Sequence, residues 1–281
     1  MRKHSFRLHH EDLFELEAEA VPPYTESAAI YDHMMREVDY KSWAKYIMML
    51  MKLAGVETRR SKIKGQRLCE FACGTGNLSL ILHKFGYDIT GIDNSKRMLL
   101  QAQSKIRHVG HSLKRSAQFI NHDMLTYRSP KQFDAMVCVY DSINYVSDKD
   151  SVKKFLGNAF SNLKPGGVFI LDASLESNSL NDPSLFIQRG RCGGIHYQRR
   201  SLYDRKTKTH TTQIRIKREG KLFEEVHQEH IFTLDTLHKL AAGKGFIEKF
   251  AAGDFTMLEA DDSSERVHFV LVKPRIIERH D

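Results

Sequence analysis

Short apolar runs alternate with longer segments of helical spacing through the middle of the chain. The runs have the length and composition of buried strands, and most are followed by a helical pattern or a turn. The predicted strands are residues 67–71, 87–92, 118–121, 133–140 and 168–172, and the predicted helices are residues 77–85, 95–108 and 148–163. Because short links join these units, the pattern predicts a parallel, doubly wound α/β sheet.

The pattern changes on both sides of this core. Residues 27–53 place apolar side chains such as Ile30, Met34 and Ile47 at helical spacing, which predicts a helical cap. From about residue 185 to 232 the residues alternate in strand fashion around a Glu219-Gly220 turn, which predicts an antiparallel β insertion. A helix and two strands then complete the α/β core. The predicted units are residues 1–60 (arm and helical cap), 61–184 (core), 185–232 (β insertion) and 233–281 (remainder of the core).

Composition narrows the class of protein. The 281 residues are 41% hydrophobic and 28% charged, which excludes a collagen, a disordered tail protein and a disulfide-stapled miniprotein. No apolar run is long enough to span a membrane, and the basic N-terminus lacks the apolar core of a signal peptide. The four cysteines form no CxxC pair, which favours reduced thiols over a zinc site. We therefore expect a cytoplasmic protein without a metal.

The positive charge is concentrated in one segment. The net charge is +8, and residues 187–221 contain eleven basic and two acidic side chains, a local charge of +9. Exposed edge strands carry Lys and Arg to prevent edge-to-edge pairing, which is one interpretation. An anionic small molecule or a nucleic acid as binding partner is the other.

Candidate chemistry lies where the predicted strands end, since ligands bind there in open parallel sheets. The first strand runs into a turn with Gly74 and Gly76, which lets a ligand approach the backbone. Asp93 ends the second strand and can accept hydrogen bonds from ribose hydroxyls, or cap the next helix, a role that Ser95 serves equally well. Asp123 ends the third strand and can accept from an adenine amino group, with the backbone at Met124 donating to the ring; a turn aspartate is the alternative.

Several segments together resemble a known family. In chain order, LCEFACGTGN, TGIDNS, NHDM, FDAMVCVYDSINYV and LKPGGVFILD resemble the motifs of class I S-adenosylmethionine-dependent methyltransferases, over residues 66 to 172. Within that family, two segments are similar to sequences of the small-molecule branch, which includes glycine and amino-sugar N-methyltransferases: YDHMMREVDYKSWAKYI and YDSINYV. The resemblance implies a Rossmann-like seven-stranded sheet with an N-terminal helical cap and an inserted antiparallel β lid. It also implies S-adenosyl-L-methionine as cofactor and methyl transfer to a nitrogen or oxygen of a small molecule, which the charge of residues 187–221 allows to be anionic.

The resemblance also implies residue roles. Gly74 and Gly76 would approach the methionine portion of the cofactor, with Glu70 and Ala72 in the same turn, where Ala72 replaces a glycine common in the family. The other implied cofactor residues are Asp93 for the ribose, Asn94 beside it in the chain, Asp123 and Met124 for the adenine, Ile92 and Leu125 around its ring, Tyr140 beside the methionine portion, and Tyr31 and Trp43 as lid residues. For Trp43, the core of the cap helix is an equal alternative. The candidate catalytic residues are His227 as a base and Asp141 or Tyr145 against the acceptor, although a lone histidine is usually structural.

Other functions stay open at this point. An RNA methyltransferase could dock through the basic insertion, but the chain has no recognisable RNA-binding module, and YDSI stands where base-amine methyltransferases usually carry an NPPY-type tetrapeptide. A nicotinamide-dependent dehydrogenase needs GxGxxG, whose third position here is Ser79. A scaffold that binds cofactor without catalysis is the third alternative. The sequence identifies neither the acceptor nor the oligomeric state.

Overall fold

The computed structural model describes residues 12–56, 65–109, 117–181 and 188–275. The predicted boundaries at 60/61 and 184/185, and residues 1–11 of the predicted arm, lie outside the described residues. The helices are α1 Tyr31–Met34, α2 Tyr40–Leu53, α3 Asn77–Phe85, α4 Lys96–Val109, α5 Lys149–Asn162, α6 Glu176–Asn181 and α7 Leu234–Ala242, with 3-10 turns at Leu13–Glu15, Ser27–Ala29 and Ser142–Tyr145. The strands are β1 Glu19–Val21, β2 Arg67–Phe71, β3 Asp88–Asp93, β4 Ala117–Asn121, β5 Phe133–Cys138, β6 Leu163–Ser174, β7 Gln188–Cys192, β8 Ile195–Asp204, β9 Thr209–Arg218, β10 Lys221–His230, β11 Ile247–Gly253 and β12 Arg266–Val272.

Seven strands form the central sheet, in the order β4-β3-β2-β5-β6-β12-β11. Strand β12 runs antiparallel to both of its neighbours, and the remaining pairs are parallel. Strand order reverses between β2 and β5, which makes the carboxyl ends of these two strands the expected binding crevice. The predicted Rossmann-like α/β sheet is confirmed.

The sheet is covered on both faces because alternate side chains of its central strands are apolar on each side. On one face Phe71, Met136 and Phe169 pack with Phe155 of α5 and Leu237 of α7. On the other face Val137 and Ile170 pack with α2 and α3, through side chains such as Ile47, Leu50 and Leu82. These side chains are buried, so the predicted continuous apolar strands reflect burial on two sides.

A second sheet of five strands has the order β1-β10-β9-β8-β7. Strands β7 to β10 form an antiparallel meander, as the alternation predicts. Strand β1 adds to its edge in parallel with β10, and Ile30 packs on Ile214, Ile216 and Tyr197. Residues 19–21 and Ile30 therefore belong to this sheet, whereas α2 packs on the central one.

Some predicted elements differ from the observed ones. The single helical pattern of residues 27–53 is divided into a 3-10 turn, α1 and α2, and α2 begins after Asp39, whose carboxylate accepts from the N–H groups of Lys41 and Ser42 at 3.1 Å. Strand β6 begins at Leu163, earlier than predicted, and α6 is not predicted at all. None of the helices in the described part of the chain is long and apolar enough to cross a membrane.

Candidate active site

A cavity of about 870 Å³ opens at the carboxyl ends of β2, β3, β4 and β5, with residues 22–25 forming part of its wall. It collects most of the residues singled out in the sequence. Those that line it are Tyr31, Glu70, Ala72, Gly74, Ile92, Asp93, Asn94, Asp123, Met124, Leu125, Tyr140 and Tyr145. Four others, Trp43, Gly76, Asp141 and His227, are not part of the lining.

The turn after β2 places three alternate residues in the left-handed conformation, with φ of 52° at Ala72, 54° at Gly74 and 74° at Gly76. A Cβ on Gly76 would lie 3.0 Å from both Ala102 and the Phe119 ring, so this glycine packs the turn against its neighbours. That contact explains why Gly76 lies behind the lining. Ala72 adopts a conformation that disfavours any side chain, a local strain at the rim of the cavity.

Glu70 and Ser79 form a buried pair behind the same turn. The Ser79 hydroxyl donates to a Glu70 carboxylate oxygen, and both residues are buried. Burial raises the pKa of Glu70 to about 8, although the hydrogen bonds from Ser79 oppose the rise. The serine at the third fingerprint position therefore adds a side-chain hydrogen bond to a buried carboxyl group.

Asp93 lines the cavity and holds the glycine turn, whereas the cap of the next helix is Ser95. One oxygen accepts from the Gly74 N–H at 2.7 Å, and the other accepts from the Ser95 N–H at 2.8 Å. Burial raises the pKa of Asp93, and these two bonds work in the opposite direction. The Ser95 hydroxyl accepts from the Met98 N–H and so caps α4. Asp93 is thereby free to hold the glycine turn and to face the cavity.

Asp123 forms a turn of its own while lining the cavity. Its carboxylate accepts from the Leu125 N–H at 2.7 Å, the geometry of a turn aspartate. The Asn158 side chain donates to the Met124 carbonyl at 2.6 Å and fixes the loop after β4. Ile92 lines the same cavity. Asp123 and Met124 line it as well.

Two consecutive residues after β5 are held in the left-handed conformation, with φ of 61° at Tyr140 and 53° at Asp141. The Asp172 carboxylate accepts from both of their N–H groups, at 3.0 and 2.8 Å. Arg266 donates to Asp172 at 2.8 Å and to Asp141 at 3.0 Å. Burial raises the pKa of Asp172, and Arg266 counteracts this. Asp141 thus pairs with Arg266 rather than lining the cavity, contrary to its predicted place against the acceptor.

Trp43 contacts the wall of the cavity from outside. Its ring stacks on Tyr140 with centroids 4.1 Å apart and also contacts Phe255 and His268. The structure therefore agrees with the cap-core alternative for Trp43. The Tyr140 hydroxyl is buried and has no hydrogen-bond partner among the described residues. A polar ligand in this cavity could satisfy it.

A chain of hydrogen bonds leads from the cavity wall into the second sheet. The hydroxyls of Tyr24 and Tyr145 are 2.6 Å apart, and that of Tyr145 is 3.0 Å from His227 Nδ1. His227 Nε2 lies 3.2 Å from a Glu225 oxygen. His227 is only 3% exposed and lies behind Tyr145, so it has no direct contact with the cavity.

Two residues of this hydrogen-bonded series, Tyr24 and Glu225, were not predicted from the sequence. Glu225 stands two residues before His227, and the period of a strand places both side chains on one face of β10. That spacing is a signal that could have identified the pair. No local pattern marks Tyr24, because the bond to Tyr145 spans 121 residues.

Many basic residues of the insertion contact the protein itself. Arg200 lies over the Phe14 ring at 4.0 Å, Arg215 donates to the Leu16 carbonyl at 2.6 Å, and Arg218 pairs with Glu26 at 3.4 Å. Among the described residues, none of the basic side chains of the insertion lines the cavity; the lining cations are Lys96 and Arg97 of α4. Part of the local charge thus holds residues 14–26 against the second sheet.

The proteins that this chain is similar to are methyltransferases. Residues 68–167 match the family model of a methyltransferase domain. A putative methyltransferase, YqeM of Bacillus subtilis, is 28% identical over 90% of this chain and 98% of its own length. A glycine/sarcosine N-methyltransferase of Halorhodospira halochloris is 33% identical over 38% of this chain and 39% of its own.

Solved structures agree in fold. The crystal structure of an S-adenosylmethionine-dependent methyltransferase from Clostridium acetobutylicum superposes with a TM-score of 0.73 at 23% identity, over 89% of this chain and 99% of that one. CalS10, an amino pentose methyltransferase from Micromonospora echinaspora with bound S-adenosylmethionine, gives a TM-score of 0.61 at 19% identity, over 94% and 100%. The matched domain, the ordered strand-end motifs and the sheet topology agree, and they set aside the nicotinamide alternative. The chain is an S-adenosylmethionine-dependent methyltransferase with a Rossmann-like core.

Proposed function

We propose that this enzyme transfers the methyl group to the amino group of a small molecule bound in the same cavity as the cofactor. The observation that carries the proposal is the set of tyrosines in the wall of the cavity. This wall presents the tyrosines Tyr24, Tyr31, Tyr40, Tyr140 and Tyr145 and, among the described residues, no basic side chain of the insertion.

The cofactor fits the other end of the cavity. Gly74 carries no Cβ where one would already lie 3.2 Å from Met98, and the Asp93 carboxylate stands beside it as a ribose partner. Asp123 and Met124 are the proposed adenine partners, with Ile92 and Leu125 about its ring and Asn94 beside the ribose. Glu70 is the proposed partner of the cofactor's amino group, through water. When bound, S-adenosylmethionine supplies a methyl group that its sulfonium already activates.

An amine is the acceptor that this environment favours. Tyrosine rings attract cations through their faces. The nearby charges of Glu229 and Asp141 are negative, and both add to the effect of burial in raising the pKa of Tyr24. Such a wall favours a protonated amine over a phosphate or carboxylate, because the lining cations Lys96 and Arg97 belong to α4 and not to the tyrosine set. We therefore favour a cationic or neutral amine over the anionic acceptor that the sequence left open.

The relatives support a small acceptor. Two of them are named as a glycine/sarcosine N-methyltransferase and as a dTDP-amino-sugar N,N-dimethyltransferase, both of which methylate nitrogen. No observation favours RNA, since several basic residues of the insertion pair with the chain's own residues.

The first experiment is calorimetric titration with S-adenosylhomocysteine, with NAD as control ligand. We expect micromolar binding of the first and none of the second. Radiolabelled methyl transfer is then measured on a panel of small amines, each paired with the hydroxyl or carboxylate compound of the same skeleton. Transfer to amines supports the proposal, and transfer confined to hydroxyl or carboxylate compounds, or to none of the panel despite cofactor binding, would overturn it.

A further inference from the structure

The hydrogen-bond chain from Glu225 to Tyr24 has a defined direction. Burial raises the pKa of Glu225, but bonds from His227 and Ser27 outweigh burial and lower it, so the group is a carboxylate that only accepts. His227 must then donate from Nε2, which leaves the Nδ1 lone pair to accept from the Tyr145 hydroxyl. With its own proton used, the Tyr145 oxygen accepts from the Tyr24 hydroxyl.

The end of this chain is an acceptor that faces the cavity. Tyr24 donates to Tyr145, so its oxygen keeps lone pairs for a donor in the cavity, which both tyrosines line. A protonated or neutral amine is such a donor. Carboxylate, imidazole and two phenols thus align from the buried interior to the acceptor site.

We propose that Tyr24, Tyr145 and His227 form a relay that removes a proton from the acceptor amine, with Tyr24 as the contacting catalytic residue and Glu225 as a positioning residue. The inference rests on the amine acceptor proposed above. It replaces direct contact between His227 and the acceptor with contact through two hydroxyls.

The step balances as a chain of proton shifts. The acceptor binds as an ammonium group, and one of its N–H protons passes to the Tyr24 oxygen as the Tyr24 proton passes to Tyr145 and the Tyr145 proton to His227 Nδ1. Both phenols are restored, and His227 becomes an imidazolium that Glu225 stabilises. The freed nitrogen pair bonds to the methyl carbon while the methyl–sulfur bond breaks, and its electrons remain on the sulfur of S-adenosylhomocysteine. The imidazolium later loses its proton to water.

The phenols conduct the proton and do not store it. Burial raises the pKa of both Tyr24 and Tyr145, so neither exists as a phenolate at neutral pH. The charged groups that act on this pair are Glu229 and Glu225 of β10 and Asp141 after β5, all of which oppose phenolate formation or stabilise imidazolium. The imidazole of His227 is therefore the group that accepts the proton in the relay.

Glu225 also builds the site that its relay serves. Its two oxygens accept from the N–H groups of Tyr24, Thr25, Glu26 and Ser27, at 2.7 to 3.0 Å, and from the Ser27 hydroxyl at 2.6 Å. The same carboxylate therefore orients His227 and fixes the segment that carries Tyr24, which adopts a left-handed φ of 58°. Loss of this carboxylate would therefore disturb both the relay and the cavity wall.

The first test needs no acceptor. Long-range proton–nitrogen NMR of the full chain, with His227 assigned by its loss in His227→Gln, should show Nε2–H and an unprotonated Nδ1. In Tyr145→Phe the Nδ1 resonance should shift, whereas Tyr203→Phe, which removes a phenol bonded to Glu176 instead, should leave it unchanged. A tautomer protonated at Nδ1 would donate to Tyr145 instead of accepting from it, which would overturn the relay.

The second test uses the amine that is methylated fastest in the panel. We expect kcat to fall about 100-fold in Tyr145→Phe and in His227→Gln, with the affinity for S-adenosylhomocysteine within twofold of wild type. The kcat of the double variant should be no lower than that of the more impaired single variant, because both substitutions interrupt the same proton relay. Unchanged kcat in Tyr145→Phe would overturn the relay even if His227→Gln fails to fold. If no amine is methylated, the proposed function fails while the tautomer measurement still decides the direction of the chain.

Discussion

The two ends of the cavity are assembled in different ways. At the cofactor end (Glu70, Gly74, Asp93 and Asp123), the acidic residues lie at or just beyond the carboxyl ends of β2, β3 and β4. At the acceptor end (Tyr24, Tyr145, His227 and Glu225), bonds join side chains separated by 121 and 82 residues and lying in different parts of the fold. The first end follows from sheet topology, whereas the second depends on how the second sheet docks on the first.

The bonding also differs between the two ends. Asp93 is held by backbone N–H groups of Gly74 and Ser95, which any sequence that forms this turn would supply. The acceptor end is linked through hydroxyl, imidazole and carboxylate side chains, so single substitutions can redesign it. One fold can thus keep its cofactor and change its acceptor.

The largest effect that we expect is a loss of stability in Arg266→Met, a substitution at the junction of the two ends. Asp172 would remain buried without its cation beneath Tyr140 and Asp141, which should lower the free energy of unfolding by about 3 kcal/mol. Urea unfolding measures the loss. Lys164→Met, which removes a partly exposed partner of Asp134, is the control and should cost less than about 1 kcal/mol. Equal losses in the two variants would contradict a buried ionic cluster.

Asp93→Ala separates the two ends directly. Loss of hydrogen bonds to a carboxylate should weaken S-adenosylhomocysteine binding at least tenfold, about 1.4 kcal/mol. Tyr145→Phe should keep the affinity within twofold, because it belongs to the acceptor end. Calorimetry measures both. Wild-type affinity in Asp93→Ala would refute the ribose assignment.

Glu70 should make cofactor binding depend on pH. Its pKa of about 8 means that it is mostly protonated at pH 7, so pairing with an amino group must release a proton. Affinity for S-adenosylhomocysteine should therefore rise about fivefold from pH 7 to pH 8, the change in ionised fraction. Glu70→Gln should remove most of that rise, and an equal rise in the variant would assign it to another group.

The smallest expected effect is in Ala72→Gly. Glycine adopts the left-handed φ of 52° without the strain of a Cβ, so the variant should gain about 0.5 kcal/mol of stability. Ala159→Gly, in buried helix α5, should instead lose about 1 kcal/mol. Urea unfolding of both variants shows whether the turn is strained; a loss in Ala72→Gly would mean that its methyl group packs usefully.

The fold was largely predictable, because periodicity is a local property. The predicted bounds of helix 77–85 match the observed Asn77–Phe85, and Asp93 at the end of β3 and Asp123 just beyond β4 line one cavity as expected. Helix α2 could not be delimited, since its apolar residues continue a pattern that begins before the break at residues 35–39.

The sequence by itself determined the order of strands and helices, the glycine turn and the acidic residues at the strand ends, since each depends on neighbours in the chain. Tertiary structure alone decided that Asp141 pairs with Arg266, that Trp43 supports Tyr140, and that several basic residues hold the N-terminal segment. It also decided that the Tyr24 hydroxyl bonds to Tyr145, which lies between Tyr24 and His227 in the line of hydrogen bonds. The physical reason is that side-chain partners across sheets are selected by packing, and periodicity along the chain carries no record of which distant residues will meet.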